Sequence, residues 1–283
     1  MILENILSLF DGLSCGQLAL HKAGIEYNNY YASEIKKHAI AATQHNFPDT
    51  IHVGDVRELK GEDLPKIDLL MGGSPCQDLS FINMKGRAGL TGEKSKLFYH
   101  FVRLLKEVKP KYFLLENVAS MKLADKAIIT EIMGVEPILI NSKLVSAQHR
   151  RRLYWTNIPM DKMPDDKGIT IDMIVDRHAK REENFSAKKQ AFVERKKETM
   201  YVAVDGEKSV PITARGYAAW NTQFVTNHDG TIRDLTLREY KMMQTIPLWY
   251  HFPMIKSKAT DLIGDGWTVD VIAHLLNGIK DDK

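Results

Sequence analysis

From residue 1 to residue 157 the sequence alternates short apolar runs with amphipathic stretches, and few folds accept that pattern. Strands separated by helices pack as a parallel sheet with helices on both faces. The apolar runs fall at residues 6–10, 30–33, 51–53, 67–71, 112–115, 137–141 and 153–156. Between them the spacing predicts a helix over residues 15–23, which Ser14 is placed to N-cap and Gly24 to end. Another, over residues 95–108, carries Leu97, Phe98, Phe101, Leu104, Leu105 and Val108 at helical intervals. The expectation is an α/β chain with a doubly wound, mostly parallel sheet.

Beyond residue 157 the alternation stops, and Pro159, Pro164, Gly168, Gly206 and Pro211 punctuate a segment with few long apolar runs. Residues 158–230 are therefore read as a small second domain. Residues 231–283 regain helical periodicity through Val269, Ile272, Ala273, Leu275 and Leu276, and are expected to pack back on the first domain. Residues 176–200 are rich in Lys and Arg but include Glu182, Glu183, Glu194 and Glu198, so they fit either a solvated helix or a DNA-binding face. With 283 residues, 44% hydrophobic, the chain can bury one sizeable core with a smaller appendage. Two cysteines, Cys15 and Cys76, exclude a disulfide framework or a cysteine-rich zinc site. No His, Cys, Asp or Glu cluster has convincing metal spacing, so no metal is expected. No apolar run approaches the roughly 20 residues that span a bilayer, and residues 1–10 lack a signal peptide's basic start. A cytoplasmic protein without a membrane partner is expected. The net charge of +3 permits nucleic acid as a partner without demanding it.

In a doubly wound sheet, ligands meet the carboxyl ends of the strands. The first strand runs into Phe10-Asp11-Gly12-Leu13-Ser14-Cys15-Gly16, whose small residues allow close backbone approach to a ligand. The second ends at Glu34, about where an acid commonly takes ribose hydroxyls. The third ends at Gly54-Asp55, a carboxylate able to accept from an adenine amino group. These features fit any adenosine-containing cofactor, but Gly-x-Gly-x-x-Gly is absent, which weakens a dinucleotide reading. The plainer alternative is a tight turn at the glycines and a helix cap at Glu34.

The fourth strand runs into Gly72-Gly73-Ser74-Pro75-Cys76-Gln77, a rigid, uncrowded turn that ends in a thiol. A lone cysteine is more often buried and inert than nucleophilic. The next strand leads into Glu116-Asn117-Val118, placing a carboxyl, a possible general acid, at a neighbouring strand end. Downstream, Gln148-His149-Arg150-Arg151-Arg152 places Arg150 and Arg152 at alternate positions of an extended segment, where both are expected to point to one side.

Phe10-x-Gly12, Glu34, Pro75-Cys76-Gln77, Glu116-Asn117-Val118, Gln148-x-Arg150-x-Arg152 and Gly264-x-Gly266-Trp267-Thr268-Val269 occur in the order seen in DNA (cytosine-5)-methyltransferases, which this chain resembles outside residues 158–230. The tail and residues 73–80 are similar to the catalytic domain of the animal de novo enzymes, and the compact length to bacterial or phage members. Two positions depart from the pattern: Ser14-Cys15 replaces a common Gly-Gly, and Gly264-Asp265 a common Gly-Asn.

The resemblance implies an S-adenosylmethionine-dependent Rossmann-like fold, with catalysis in residues 1–157 and a target-recognition domain in residues 158–230. It implies that Cys76 attacks C6 of a cytosine flipped out of double-stranded DNA. Glu116 would hold the ring at N3 and the amino group, Arg150 and Arg152 would hold the base carbonyl and backbone, and C5 would take the methyl group. The implied cofactor pocket comprises Phe10, Asp11, Gly12, Leu13, Glu34, Ile35, Asp55, Val56, Pro75, Trp267, Thr268 and Val269. The implied DNA contacts are Ser80, Lys85, Arg87, Arg150, Arg152 and Arg215, with Arg177, Arg181, Arg195, Asn221 and Gln223 as further candidate base readers. A monomer or weak homodimer is expected, in a bacterial or phage-infected cell, as an orphan or a restriction-modification enzyme. Three alternatives remain: a transfer-RNA cytosine-5 methyltransferase, an inactive relative that only binds DNA, and a thiol hydrolase pairing Cys76 with His100 or His149.

Overall fold

The computed structural model describes residues 2–75, 90, 92, 95–182, 185–197, 199 and 201–281. In chain order the regular elements are β1 (Ile2–Leu9), α1 (Cys15–Ala23), β2 (Glu26–Ser33), α2 (Lys37–Asn46), β3 (Ile51–His52), β4 (Leu69–Gly73), α3 (Leu97–Val108), β5 (Tyr112–Val118), α4 (Leu123–Met133), β6 (Ile138–Asn141) and β7 (Arg151–Thr156). They are followed by α5 (Ala187–Lys196), β8 (Ala203–Val204), α6 (Gly216–Ala219), β9 (Gln223–Thr226), β10 (Ile232–Asp234), α7 (Leu237–Met243), α8 (Lys256–Asp265) and α9 (Val269–Asp281).

Contacts divide the chain into two compact units. The first comprises Met1–Ile140, Arg151–Met163 and Ile272–Lys283; the second comprises Asn141–Arg150 and Pro164–Val271. The second unit is thus larger than residues 158–230, and only the last twelve residues of the tail group with the first unit. There Lys280 donates to the Ala23 carbonyl, and Gly278 lies so close to Pro159 that a Cβ would overlap its carbonyl.

In the first unit seven strands pair in the order β3-β2-β1-β4-β5-β7-β6. The pairs from β3 to β5 are parallel, and β7 runs antiparallel to β5. The strand order reverses between β1 and β4, which opens a crevice at their carboxyl ends. Helix α1 occupies the expected residues and ends in left-handed Gly24, whose N–H reaches the His21 and Leu20 carbonyls. Ser14 takes the N-cap position in a left-handed conformation without a side-chain cap; its hydroxyl instead accepts from the Gln17 amide at 2.9 Å. Helix α3 buries Phe98, Phe101, Val102 and Leu104 against Leu7, Leu70, Leu115 and Trp155, and stops at left-handed Lys109. Truncating Phe101 to Ala would cost about 3–5 kcal/mol of that core.

In the second unit a three-stranded sheet pairs β10-β9-β8 over a small cluster of Phe185, Val193, Val202 and Phe224. Of the basic residues 176–200, α5 takes Ala187–Lys196, N-capped by the Ser186 hydroxyl. Helix α7 opens on a capping box between Thr236 and Glu239.

Candidate active site

At the head of the first unit's crevice, the loop after β1 is held by two carboxyls. Phe10, Gly12 and Ser14 all have positive φ, so the chain bends tightly and presents its backbone. The Gly12 N–H donates to Glu34 Oε2 at 2.9 Å, which ties the end of β1 to the end of β2. Glu34 Oε1 accepts the N–H groups of Ile35 and Lys36 just ahead of α2, whose N-cap position, Lys36, carries no side-chain cap, so Glu34 braces the loop and does not cap the helix. Asp11 accepts the Tyr30 hydroxyl at 2.8 Å through Oδ1, while its buried Oδ2 has no partner. Burial pushes the Asp11 carboxyl up to about 6, against hydrogen bonds from Ser8, Tyr30 and Ser14. Gly16 makes room for this arrangement: a Cβ there would stand 2.5 Å from the Tyr30 hydroxyl and 2.7 Å from Met71 Sδ.

The other residues of this half are placed unevenly. Leu13 and Val56 are buried, Phe10 is half-buried against the core and Ile35 is exposed. Asp55, at the expected strand end, receives Arg57 through Nε at 2.9 Å and Nη2 at 2.5 Å. Hydrogen bonding from Arg57 holds its carboxyl below the usual carboxylate range.

Across the crevice, Gly73 of β4 is in register with Glu116 of β5. Glu116 is 8% exposed and pairs with Arg152 Nε at 2.8 Å. Arg152 reaches it diagonally, being itself opposite Val118 in the antiparallel β5–β7 ladder. Asn117 is 1% exposed, and its amide donates to the Ser74 hydroxyl at 3.0 Å and to the Ser74 carbonyl. Segment 74–75 is thereby fixed to the end of β5, two residues ahead of Cys76. The motif assigns Asn117 no role of its own, and its place beside Glu116 is the one signal of it in the sequence. Cys76, Ser80, Lys85 and Arg87 lie outside the described residues. Pro75 is half-buried at the last described position before them.

Arg150 and Arg152 do not act on one side of one strand, as their alternate spacing suggested. Strand β7 begins at Arg151, so Arg150 precedes it. Within the second unit the buried Arg150 guanidinium donates to the Ile212 carbonyl at 2.5 Å, Gly264 at 3.0 Å and Gly266 at 2.8 Å. Gln148, fully buried, donates to the Met243 carbonyl and Gln244 Oε1 and accepts the Ile212 N–H. Gln244, unnoticed in the sequence, accepts from the Thr268 hydroxyl and donates to the Ile263 and Gly266 carbonyls. Thr268 and Val269 are buried in this framework and Trp267 is half-buried.

Among the candidate base readers, Arg215, Arg195 and Asn221 are exposed. The Arg215 backbone N–H is held by Asp261 at 2.8 Å. Gln223 is fully buried on the Asp205 and Phe224 carbonyls, and Arg177 pairs with Asp172 and Asp205. These two are structural, because their donors already have internal acceptors. Arg181 lies over the Phe185 ring at 4.1 Å.

Among the described residues, no helix is long and apolar enough to cross a membrane. The description "C-5 cytosine-specific DNA methylase" matches residues 5–161 and 140–281. An orphan methyltransferase, M.Rho11sI of Bacillus phage rho11s, is 34% identical over 177 residues, 58% of this chain but only 35% of that protein. The type II methyltransferase M1.ScrFI of Lactococcus lactis subsp. cremoris is 26% identical over 95% of this chain and 76% of its own length. Two solved structures share the fold end to end. The Entamoeba histolytica methyltransferase EhMeth has a TM-score of 0.80 at 14% identity, covering 99% of this chain and 98% of that one. A Spodoptera frugiperda DNMT2 mutant has a TM-score of 0.77 at 18% identity, covering 98% and 99%. With both matched segments together spanning nearly all of its length, the chain belongs to the C-5 cytosine-specific DNA methylase family.

Proposed function

We propose that the chain transfers a methyl group from S-adenosylmethionine to C5 of cytosine in double-stranded DNA, with Cys76 as the covalent nucleophile. Alongside family membership, one observation carries this reading. Asn117 ties Ser74 to the strand end that bears the paired Glu116 and Arg152, so the segment leading to Cys76 starts beside a ready carboxyl and guanidinium. Such a constellation suits a base that must be held by its edge while a thiol adds to it.

The crevice residues fit the cofactor. The unpartnered Asp11 Oδ2, the folded-back loop at Gly12 and the carboxylates of Glu34 and Asp55 offer acceptors for amino and ribose hydroxyl groups. Phe10, Leu13, Ile35, Val56 and Pro75 would supply apolar surface, and Trp267, Thr268 and Val269 the methionine end. When bound, the cofactor supplies the methyl group.

The chain's own part in the reaction begins with extraction of the cytosine from the duplex, at a cost of a few kcal/mol. Cys76 bonds to C6 while Glu116 holds N3 and the amino group and Arg152 holds the base carbonyl. That addition makes C5 nucleophilic. After transfer, C5 loses its proton and the C6–S bond breaks, restoring the thiolate and the aromatic ring. Ser80, Lys85, Arg87 and Arg215 are assigned to DNA, and residues 158–230, which lie in the second unit from Pro164 onward, to target recognition. Arg150 serves by holding the framework around Gly264 and Gly266.

Labelled S-adenosylmethionine supplied with a mixture of duplex DNA and transfer RNA tests the reading. Label should appear in DNA as 5-methylcytosine. Label confined to transfer RNA would replace the substrate, and no label in either would replace the activity.

A further inference from the structure

The second unit carries a cleft that neither the family motifs nor the proposed catalytic residues use. It is a cavity of 470 Å³ between segment 177–181 and the turn joining β9 to β10. Sites of roughly 300–1,000 Å³ hold small ligands or ligand groups. His178, Lys180 and His228 line it and are exposed, with the two imidazole rings 4.6 Å apart between centroids and tilted 48° to one another.

The floor beneath these side chains is rigid. Asn227 donates to the Ala179 carbonyl and the His228 N–H donates to Arg177, joining the two walls. Arg233 and Glu239, both almost fully buried, form a bidentate pair. Arg233 continues to Asn227 Oδ1 and the Asp176 carbonyl. Burial alone would raise the Glu239 carboxyl, but Arg233 and the backbone N–H groups hold it below the ordinary carboxylate range. The cleft is thus built in advance of any ligand.

Its chemistry is selective. Arg177 and Asn227, the types that read base edges, have their donors engaged by Asp172, Asp205, Thr226, Ala179 and Thr231. Asp229 spends one oxygen on the backbone and hydroxyl of Thr231. Arg181, which also lines the cleft, lies over the Phe185 ring and donates to the Phe185 carbonyl, so beside it and the Asp229 carboxylate an ammonium and two imidazoles stand at the mouth, donors suited to phosphate oxygens and lacking the paired donor-acceptor pattern that distinguishes bases. We propose that this cleft is a phosphate clamp for the backbone of duplex DNA, which positions the target without reading its sequence. The proposal rests on the assignment of DNA as substrate.

The test is duplex binding by the full chain across a salt series, on the methylated sequence and on an unrelated one, for the wild type and a His178→Ala/Lys180→Ala/His228→Ala triple variant. An unchanged melting temperature and cofactor affinity establish that the variant is folded; if it is not, Lys180→Glu, at an exposed position, replaces it. Affinity should fall about tenfold on both duplexes, and the slope of log affinity against log salt should shrink by about 1. Wild-type affinity in the variant on both duplexes overturns the clamp alone. A loss confined to the methylated sequence, with the slope unchanged, overturns it in favour of base reading. A wild-type chain that binds no duplex overturns the DNA assignment together with the clamp.

Discussion

Two regions rich in buried polar groups use them in opposite ways. In the crevice of the first unit, Asp11 leaves one buried oxygen without a partner and Asp55 holds only an exposed arginine. In the framework of the second unit, Arg150, Gln148, Gln244 and Thr268 place their donors on backbone carbonyls or on one another. A buried polar atom without a partner costs about 1–3 kcal/mol, and a fold that tolerates one has left room for something else. Within a single set of family motifs, some residues therefore keep polar atoms uncommitted while others spend theirs on the scaffold.

The sharpest way to break this comparison is Arg150→Ala. If the guanidinium is framework, its loss removes the Arg150 donors from the Ile212 and Gly264 carbonyls, leaves Gly266 to Gln244 and lowers folding stability by about 3–5 kcal/mol, read from the denaturant midpoint. Unchanged stability with lost DNA binding would place Arg150 at the substrate instead.

Asp11→Asn probes the opposite region. Folded Asp11 keeps its proton to about pH 6, against an ordinary value of 3.8, so the folded state binds that proton more tightly than the unfolded chain. Its contribution is therefore most favourable below the ordinary value and is lost as pH rises toward 6, by up to about 3 kcal/mol at about 1.4 kcal/mol per pH unit. The Asn variant should be more stable than wild type at pH 8, lose that advantage toward pH 4 and bind S-adenosylmethionine more weakly. Equal stability at both pH values would mean that Asp11 is not held at a cost.

The smallest effect is expected at Arg57, whose side chain is 61% exposed. Arg57→Ala should leave the melting temperature unchanged and tighten cofactor binding a few-fold, because the Asp55 carboxylate becomes open. Weaker binding would make Arg57 part of the pocket.

Much of the first unit was legible because its signals are local. Helix α1 occupies the residues its spacing and Gly24 indicated, and Phe10 and Glu34 directly follow β1 and β2, whereas β3 stops at His52, three residues before Asp55, and β5 runs past Glu116 to Val118. What escaped depends on contacts distant in sequence. The alternate spacing of Arg150 and Arg152 assumed one strand, but the Arg150 partners lie 62 to 116 residues further on. The Asn117 link to Ser74 spans 43 residues, and that of Gln148 to Gln244 spans 96. The second unit's extent was hidden for the same reason, since Asn141–Arg150 joins it through such bonds. The tilted His178–His228 ring pair joins two turns that no periodicity connects.

The central claim is the thiol of Cys76 as nucleophile toward C6, and 5-fluorocytosine in a duplex tests it most directly. Fluorine replaces the C5 proton whose loss would release the thiol, so the enzyme should remain attached after methyl transfer. A denaturant-resistant adduct of protein and DNA should form that requires S-adenosylmethionine and maps to Cys76, absent in Cys76→Ala. Methyl transfer to ordinary cytosine by Cys76→Ala, or by a wild-type chain that forms no adduct with the fluorinated base, would contradict it.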